Sequence, residues 1–170
     1  MEIEDSYIEI DVTEKKDEIL KLLKDYTIEI HTNADEKYKY LEEGGISISV
    51  MSGSKKLLWI ELDEEIVLGI GGWHTHYSPY LSDYNEFLST LKEFIDNRRC
   101  GVCIMCKDKW MGGFDASEDE LAEEQLVEQV NRFLSAREFQ ERMRENGYSI
   151  MCNFLNPDKD RVYTIKARNN

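Results

Sequence analysis

Two prolines in 170 residues are too few for a proline-rich spacer, and nothing in the chain reads as a flexible linker. No run approaches the roughly 20 apolar residues that a membrane-spanning helix needs. Basic charge is short: 21 Lys and Arg stand against 35 Asp and Glu, a net charge of −14. Proteins that bind nucleic acid neutralise phosphates with Lys and Arg, so this deficit argues against nucleic acid, and anionic membranes are disfavoured for the same reason. The opening MEIEDSYIEIDV is acidic and alternating where a secretory signal is basic and then apolar, which gives the expectation of a cytoplasmic protein. Catalytic signatures are missing too. There is no G-x-S-x-G elbow, no H-E-x-x-H helix and no Walker loop, and Gly69-Ile70-Gly71-Gly72 has the wrong spacing for a phosphate cradle.

What is present suits a packed core. Hydrophobic residues make up 41% of the chain and aromatic residues 11%, enough for one domain over residues 1–170. In SYIEIDV, Ile8, Ile10 and Val12 alternate with acidic residues, as in a half-buried strand. Ile19, Leu22, Leu23, Tyr26 and Ile30 recur at helical spacing from about Glu14, although Tyr26, Ile28 and Ile30 also alternate. A charged connection follows over 32–45. Then ISISVM, KKLLWIEL and EIVLGIGGWHTHY form a meander, with turns at Ser52-Gly53-Ser54 and at Asp63-Glu64. Tyr84, Phe87, Leu88, Leu91, Phe94 and Ile95 trace one stripe of a helix over 83–97.

The second half of the chain opens with a hairpin, GVCIMCKDKWMGGF, turning at Lys107-Asp108-Lys109. Ser117 with Glu120, and Ser135 with Glu138, are capping-box pairs that start two helices, the second ending at Asn146-Gly147. YSIMCNFL and RVYTIKA close the chain as a hairpin. The fold class is therefore α+β: mainly antiparallel sheet, meander plus hairpins, covered by three to four helices.

Cys100, Cys103 and Cys106 have metal-like spacing, but no Pro and no fourth nearby Cys completes a cluster motif. In a strand Cys103 faces away from the other two, so the expectation is reduced core cysteines.

The histidines are the sharper question. On a continuous strand to Tyr77, His74 and His76 share a face about 7 Å apart, and both imidazoles can reach one metal. Asp83, or an upstream Glu such as Glu61, would complete a zinc site, and a metal-dependent hydrolase is the competing functional reading. GGWHTH resembles the strand end of the JAMM-type zinc isopeptidases, whose motif continues with seven residues and then S-x-x-D. Here positions 84 and 87 hold Tyr84 and Phe87, so the activity is not carried over. Asp83 followed by Glu86 also reads as a helix cap.

Acidic charge is densest between Asp115 and Glu128. Asp115, Glu118, Asp119, Glu120, Glu123, Glu124 and Glu128 occur there with no basic residue between them. The helix dipole explains part of this cluster; the rest reads either as a solvated face or as a docking surface for a basic protein, with Asp63, Glu64 and Glu65 in support. Size, acidity and lack of a catalytic motif resemble small bacterial immunity proteins, which bind and neutralise a partner toxin, often a basic nuclease. GGWHTHYSPY, the following helix and the KW-GG hairpin are similar to uncharacterised bacterial proteins of that kind. That resemblance implies a non-enzymatic protein-binding module with no cofactor.

Overall fold

The computed structural model describes residues 7–134 and 137–167. The fold is α+β, with two antiparallel sheets and four α-helices. Contacts group the chain into two compact units. One takes in the chain to Ile70 and His74–Asp96; the other takes in Gly71–Trp73 and the chain from Asn97 onward.

In the first unit the expected opening strand does not form. Glu9 makes an isolated antiparallel bridge to Tyr80, with the Ile10 amide donating to the Pro79 carbonyl at 2.9 Å. Asp11 then breaks the extension. Its carboxylate accepts from the amide and the hydroxyl of Thr13 at 2.9 and 2.6 Å, and a 3-10 turn follows over Thr13–Lys15. The next helix, α1 (Lys16–Leu22), is shorter than its spacing suggests, because Thr27–Thr32 joins the sheet as β1. Alternation prevails there: Thr27, Ile28, Ile30 and Thr32 are β-branched and gain more on a pleated surface than in a helix.

A meander continues the sheet through β2 (Ile46–Ser52), β3 (Lys55–Leu62), β4 (Ile66–Ile70) and β5 (Trp73–Tyr77), in spatial order β1-β2-β3-β4-β5. The register aligns three apolar rows across β2, β3 and β4: Ile46-Leu62-Ile66, Ile48-Ile60-Leu68 and Val50-Leu58-Ile70. All nine side chains are buried. Packed on β4 is α2 (Leu81–Ile95), which buries Tyr84, Phe87, Leu91 and Phe94 from the predicted stripe. It starts two residues earlier than expected, with Tyr80 at the N-cap, so Asp83 is not the cap.

The second unit orders its sheet β7-β6-β8-β9, from β6 (Arg99–Cys106), β7 (Lys109–Ser117), β8 (Tyr148–Asn153) and β9 (Arg161–Ile165). The β6–β7 turn places Lys107 and Asp108 at φ 49° and 62°, the left-handed pair that a two-residue hairpin loop requires. The Ser117–Glu120 capping box is present, but it heads a 3-10 turn over Glu118–Glu120. The helix that follows, α3 (Glu123–Phe133), begins separately after Ala122. Then comes α4 (Arg137–Asn146); the Ser135 cap expected for it lies outside the described residues. Leu126, Val130 and Met143 from these helices pack on Val102, Ile104, Ile150 and Cys152 of the sheet. Among the described residues no helix is long and apolar enough to cross a membrane.

Two contacts are testable. Gly147 ends α4 at φ +71°, and a Cβ there would sit 2.6 Å from the Ile165 carbonyl oxygen. Gly147→Ala should cost more than about 1 kcal/mol in a urea melt, from the left-handed backbone and the displaced strand end together. Tyr84 donates to Glu18 at 2.7 Å and ties α2 to α1. Burial, this bond and the Glu18 charge push its phenol up, so the folded chain keeps a proton that an unfolded tyrosine loses near pH 10. The unfolded state then binds fewer protons, and stability falls as pH rises past that point. Tyr84→Phe should flatten this fall in melts between about pH 9 and 11.

Candidate functional site

The face of the first sheet opposite the apolar rows carries the polar residues. By register, His31, Ser47, Glu61 and Val67 form one row, and Glu29, Ser49, Trp59 and Gly69 the next. Trp59 packs against Gly69, where a Cβ would fall 2.2 Å from the indole, so this glycine serves close packing. Ser47 and Ser49 are fully buried, and their hydroxyls have no hydrogen-bond partner among the described residues. Each such group costs about 1–3 kcal/mol.

The histidines do not end one long strand. The chain reverses at Gly71-Gly72, with Gly71 at φ +59°, so His74 and His76 lie on β5 after a tight hairpin turn. Both are exposed, with ring centroids 5.3 Å apart. His74 stands 5.9 Å from the Trp59 ring, and His76 Nδ1 lies 2.7 Å from Glu65 Oε1. Asp83 is engaged elsewhere: its carboxylate accepts from the Ser78 amide and from the Ser82 hydroxyl, each at 3.1 Å. Glu61 accepts a short hydrogen bond from the Tyr40 hydroxyl. Among the described residues, no three His, Cys, Asp or Glu side chains gather as a metal-holding group. His31 is occupied on β1, stacked on Tyr38 at 4.4 Å with Asp35 at 3.3 Å. All four cysteines are free and buried; Cys100 and Cys152 lie in the core of the second unit, and Cys103 is not part of that cluster.

A concavity of about 540 Å³ in the first unit opens at the β3–β4 turn. Glu42, Glu61, Asp63, Glu64 and Glu65 line it, together with Tyr40. The covering loop is held by Asp63, whose carboxylate accepts from the Glu42 amide at 3.1 Å. Gly45 makes that approach possible, since a Cβ would lie 2.6 Å from the Asp63 oxygen. Burial, then the bond to Glu61 and the surrounding negative charge, push the Tyr40 phenol up. None of the five carboxylates is paired with a Lys or Arg among the described residues. The sequence supplied Asp63, Glu64 and Glu65 as an acidic turn; Glu42 and Glu61 join them only through the fold.

The acidic segment of the second unit looks different once folded. Asp115 pairs with Arg99, Glu118 with Lys159 at 3.1 Å, and Glu128 with Arg132 one helical turn on. Glu120 accepts from the Ser117 amide at 3.1 Å. Asp119, Glu123 and Glu124 remain exposed with no basic partner among the described residues. The segment contains no basic residue, yet the sheet and the closing hairpin bring cations to it.

Comparison of the chain with protein-family models, with curated proteins and with solved structures finds no match. Functional argument therefore rests on these residues. The cleft separates two kinds of carboxylate, and stability measurements can distinguish them. Asp63→Ala should cost about 1–2 kcal/mol in chemical denaturation, because it frees the Glu42 amide and the covering loop. Glu64→Gln removes an exposed, unpaired charge and should stay within about 0.5 kcal/mol of the parent.

Proposed function

We propose that this chain is a non-enzymatic, cytoplasmic protein-binding module whose acidic surface receives a basic partner, in the manner of an immunity protein that neutralises a toxin. The observation that carries this reading is the set of five carboxylates around the β3–β4 turn, none paired with a Lys or Arg among the described residues. Asp119, Glu123 and Glu124 offer a second unbalanced set on the other unit. Placing like charges together costs the free protein stability, and a cationic surface docking on them relieves that repulsion. With a net charge of −14, the field also steers a basic partner inward, raising association rates by roughly 10- to 1,000-fold. The aromatic Tyr40 at the cleft and Tyr80 nearby in sequence, 61% and 39% exposed, supply contact area beside the charge.

The test is co-expression with the protein encoded beside this chain's gene. The expected result is relief of that protein's toxicity and a stoichiometric complex. Reversing charge at Glu42, Glu64 and Glu65 should slow association by about tenfold and flatten its dependence on salt, and Glu123→Lys with Glu124→Lys measures the share of the second set. No complex and no relief would remove the reading. Stoichiometric zinc in the purified chain, lost on changing His74 and His76 to Ala, would replace it with the metal-dependent hydrolase.

A further inference from the structure

The second unit concentrates positive charge at the end of α4. Three neighbouring cavities open there, of about 140, 420 and 160 Å³. The first two share Tyr148, Ile165 and Lys166; the last two share Lys107 and Asn146. Five cations line them: Lys107, Lys109, Arg142, Arg144 and Lys166. Among the described residues, Asp108 is their one lining carboxylate. The cations come from three places, the β6–β7 turn, α4 and the residue after β9, so folding and not local sequence assembles them.

None of the five makes an ion pair among the described residues. Lys21, Lys55 and Lys92 of the first unit also make none among the described residues, so what marks these five is their grouping around joined cavities. Elsewhere in the same unit Arg99, Arg132 and Lys159 each find a carboxylate. The dipole of α4 accounts for part of the cluster, since Arg142 and Arg144 lie near its C-terminus. Its effect is worth about half a charge and fades within one turn, so it does not explain Lys107, Lys109 and Lys166. Glu138, Glu141 and Glu145 also lie on α4, yet line none of the three cavities.

We infer that these joined cavities bind a compact polyanion of the phosphate class, a short phosphate chain or a phosphorylated small molecule. Five cations around contiguous hollows exceed what a single carboxylate can engage. Tyr148, Ser149 and Thr164 line the 420 Å³ cavity and place neutral hydroxyl donors beside the charges, as non-bridging phosphate oxygens require. Compactness follows from the chain's own field. A ligand held within the patch lies inside the screening length of about 8 Å from its cations, whereas a long polyanion would extend over the acidic remainder and be repelled. This site belongs to the second unit and does not depend on the acidic cleft of the first, although Glu123 of the second acidic set lies near enough to raise the phenol of Tyr148.

Calorimetric titration of the whole chain with sodium tripolyphosphate at low salt tests the inference. The expected result is saturable binding tighter than about 1 mM that weakens as salt is added. Lys107→Gln with Lys166→Gln should weaken it at least about tenfold, while Lys21→Gln with Lys92→Gln, in the other unit, should leave it unchanged. The four side chains are solvent-facing or partly so, and circular dichroism confirms that each variant folds. Backbone resonances of Ser149 and Thr164 should shift on titration. Absence of saturable heat, or equal loss in both variants, overturns the site. Equal affinity for citrate overturns the phosphate class, and tighter binding of a single-stranded oligonucleotide or an acidic peptide overturns the compact ligand.

Discussion

Cross-strand pairing of β2, β3 and β4 is the constraint on which the first unit depends. Three residues from three strands line up in each apolar row, and the register that buries Ile48, Ile60 and Leu68 leaves no freedom to the residues between them. A slip of one position would bury Glu61 and expose Ile60. The same register therefore fixes the polar face, setting Glu61 beside Ser47 and Trp59 over Gly69. The acidic cleft follows from it, because the turn joining β3 to β4 has to fall at Asp63-Glu64-Glu65.

Charge in this protein is sorted by the fold. The segment from Asp115 to Glu128 has no cation of its own until Arg132 follows it, but β6 contributes Arg99 and the closing hairpin contributes Lys159. Three of its seven acids, Asp115, Glu118 and Glu128, thereby enter ordinary structural pairing. Among the described residues, the carboxylates around the β3–β4 turn pair with no Lys or Arg, and the cations around the end of α4 make no ion pair. Like charges grouped without such partners repel one another and lower the stability of the folded chain.

Several features were legible from residue order alone. The helix carrying Tyr84, Phe87, Leu91 and Phe94 declares itself by spacing, and the Lys107-Asp108 turn by what flanks it. Reading failed where a short polar side chain or a glycine decided the backbone. Asp11 captures Thr13 and ends the first extended stretch, while Gly71 takes a left-handed conformation and folds what reads as one long strand into a hairpin. That second difference changes the histidine argument most. His74 and His76 do share β5, but they do not continue the face of β4 by simple alternation, and Asp83 is turned to the Ser78 amide.

The sequence by itself determined the class of fold, the meander, the strongest helix and the excess of acid, because periodicity and composition are local properties. Which charges meet was decided only by tertiary structure. Arg99 and Asp115, and Lys159 and Glu118, are separated by 16 and 41 positions, and the Glu42 backbone amide lies 21 positions from the Asp63 carboxylate it donates to. Contacts over such spans depend on strand order and on how loops return, and neither is encoded in any short window of residues.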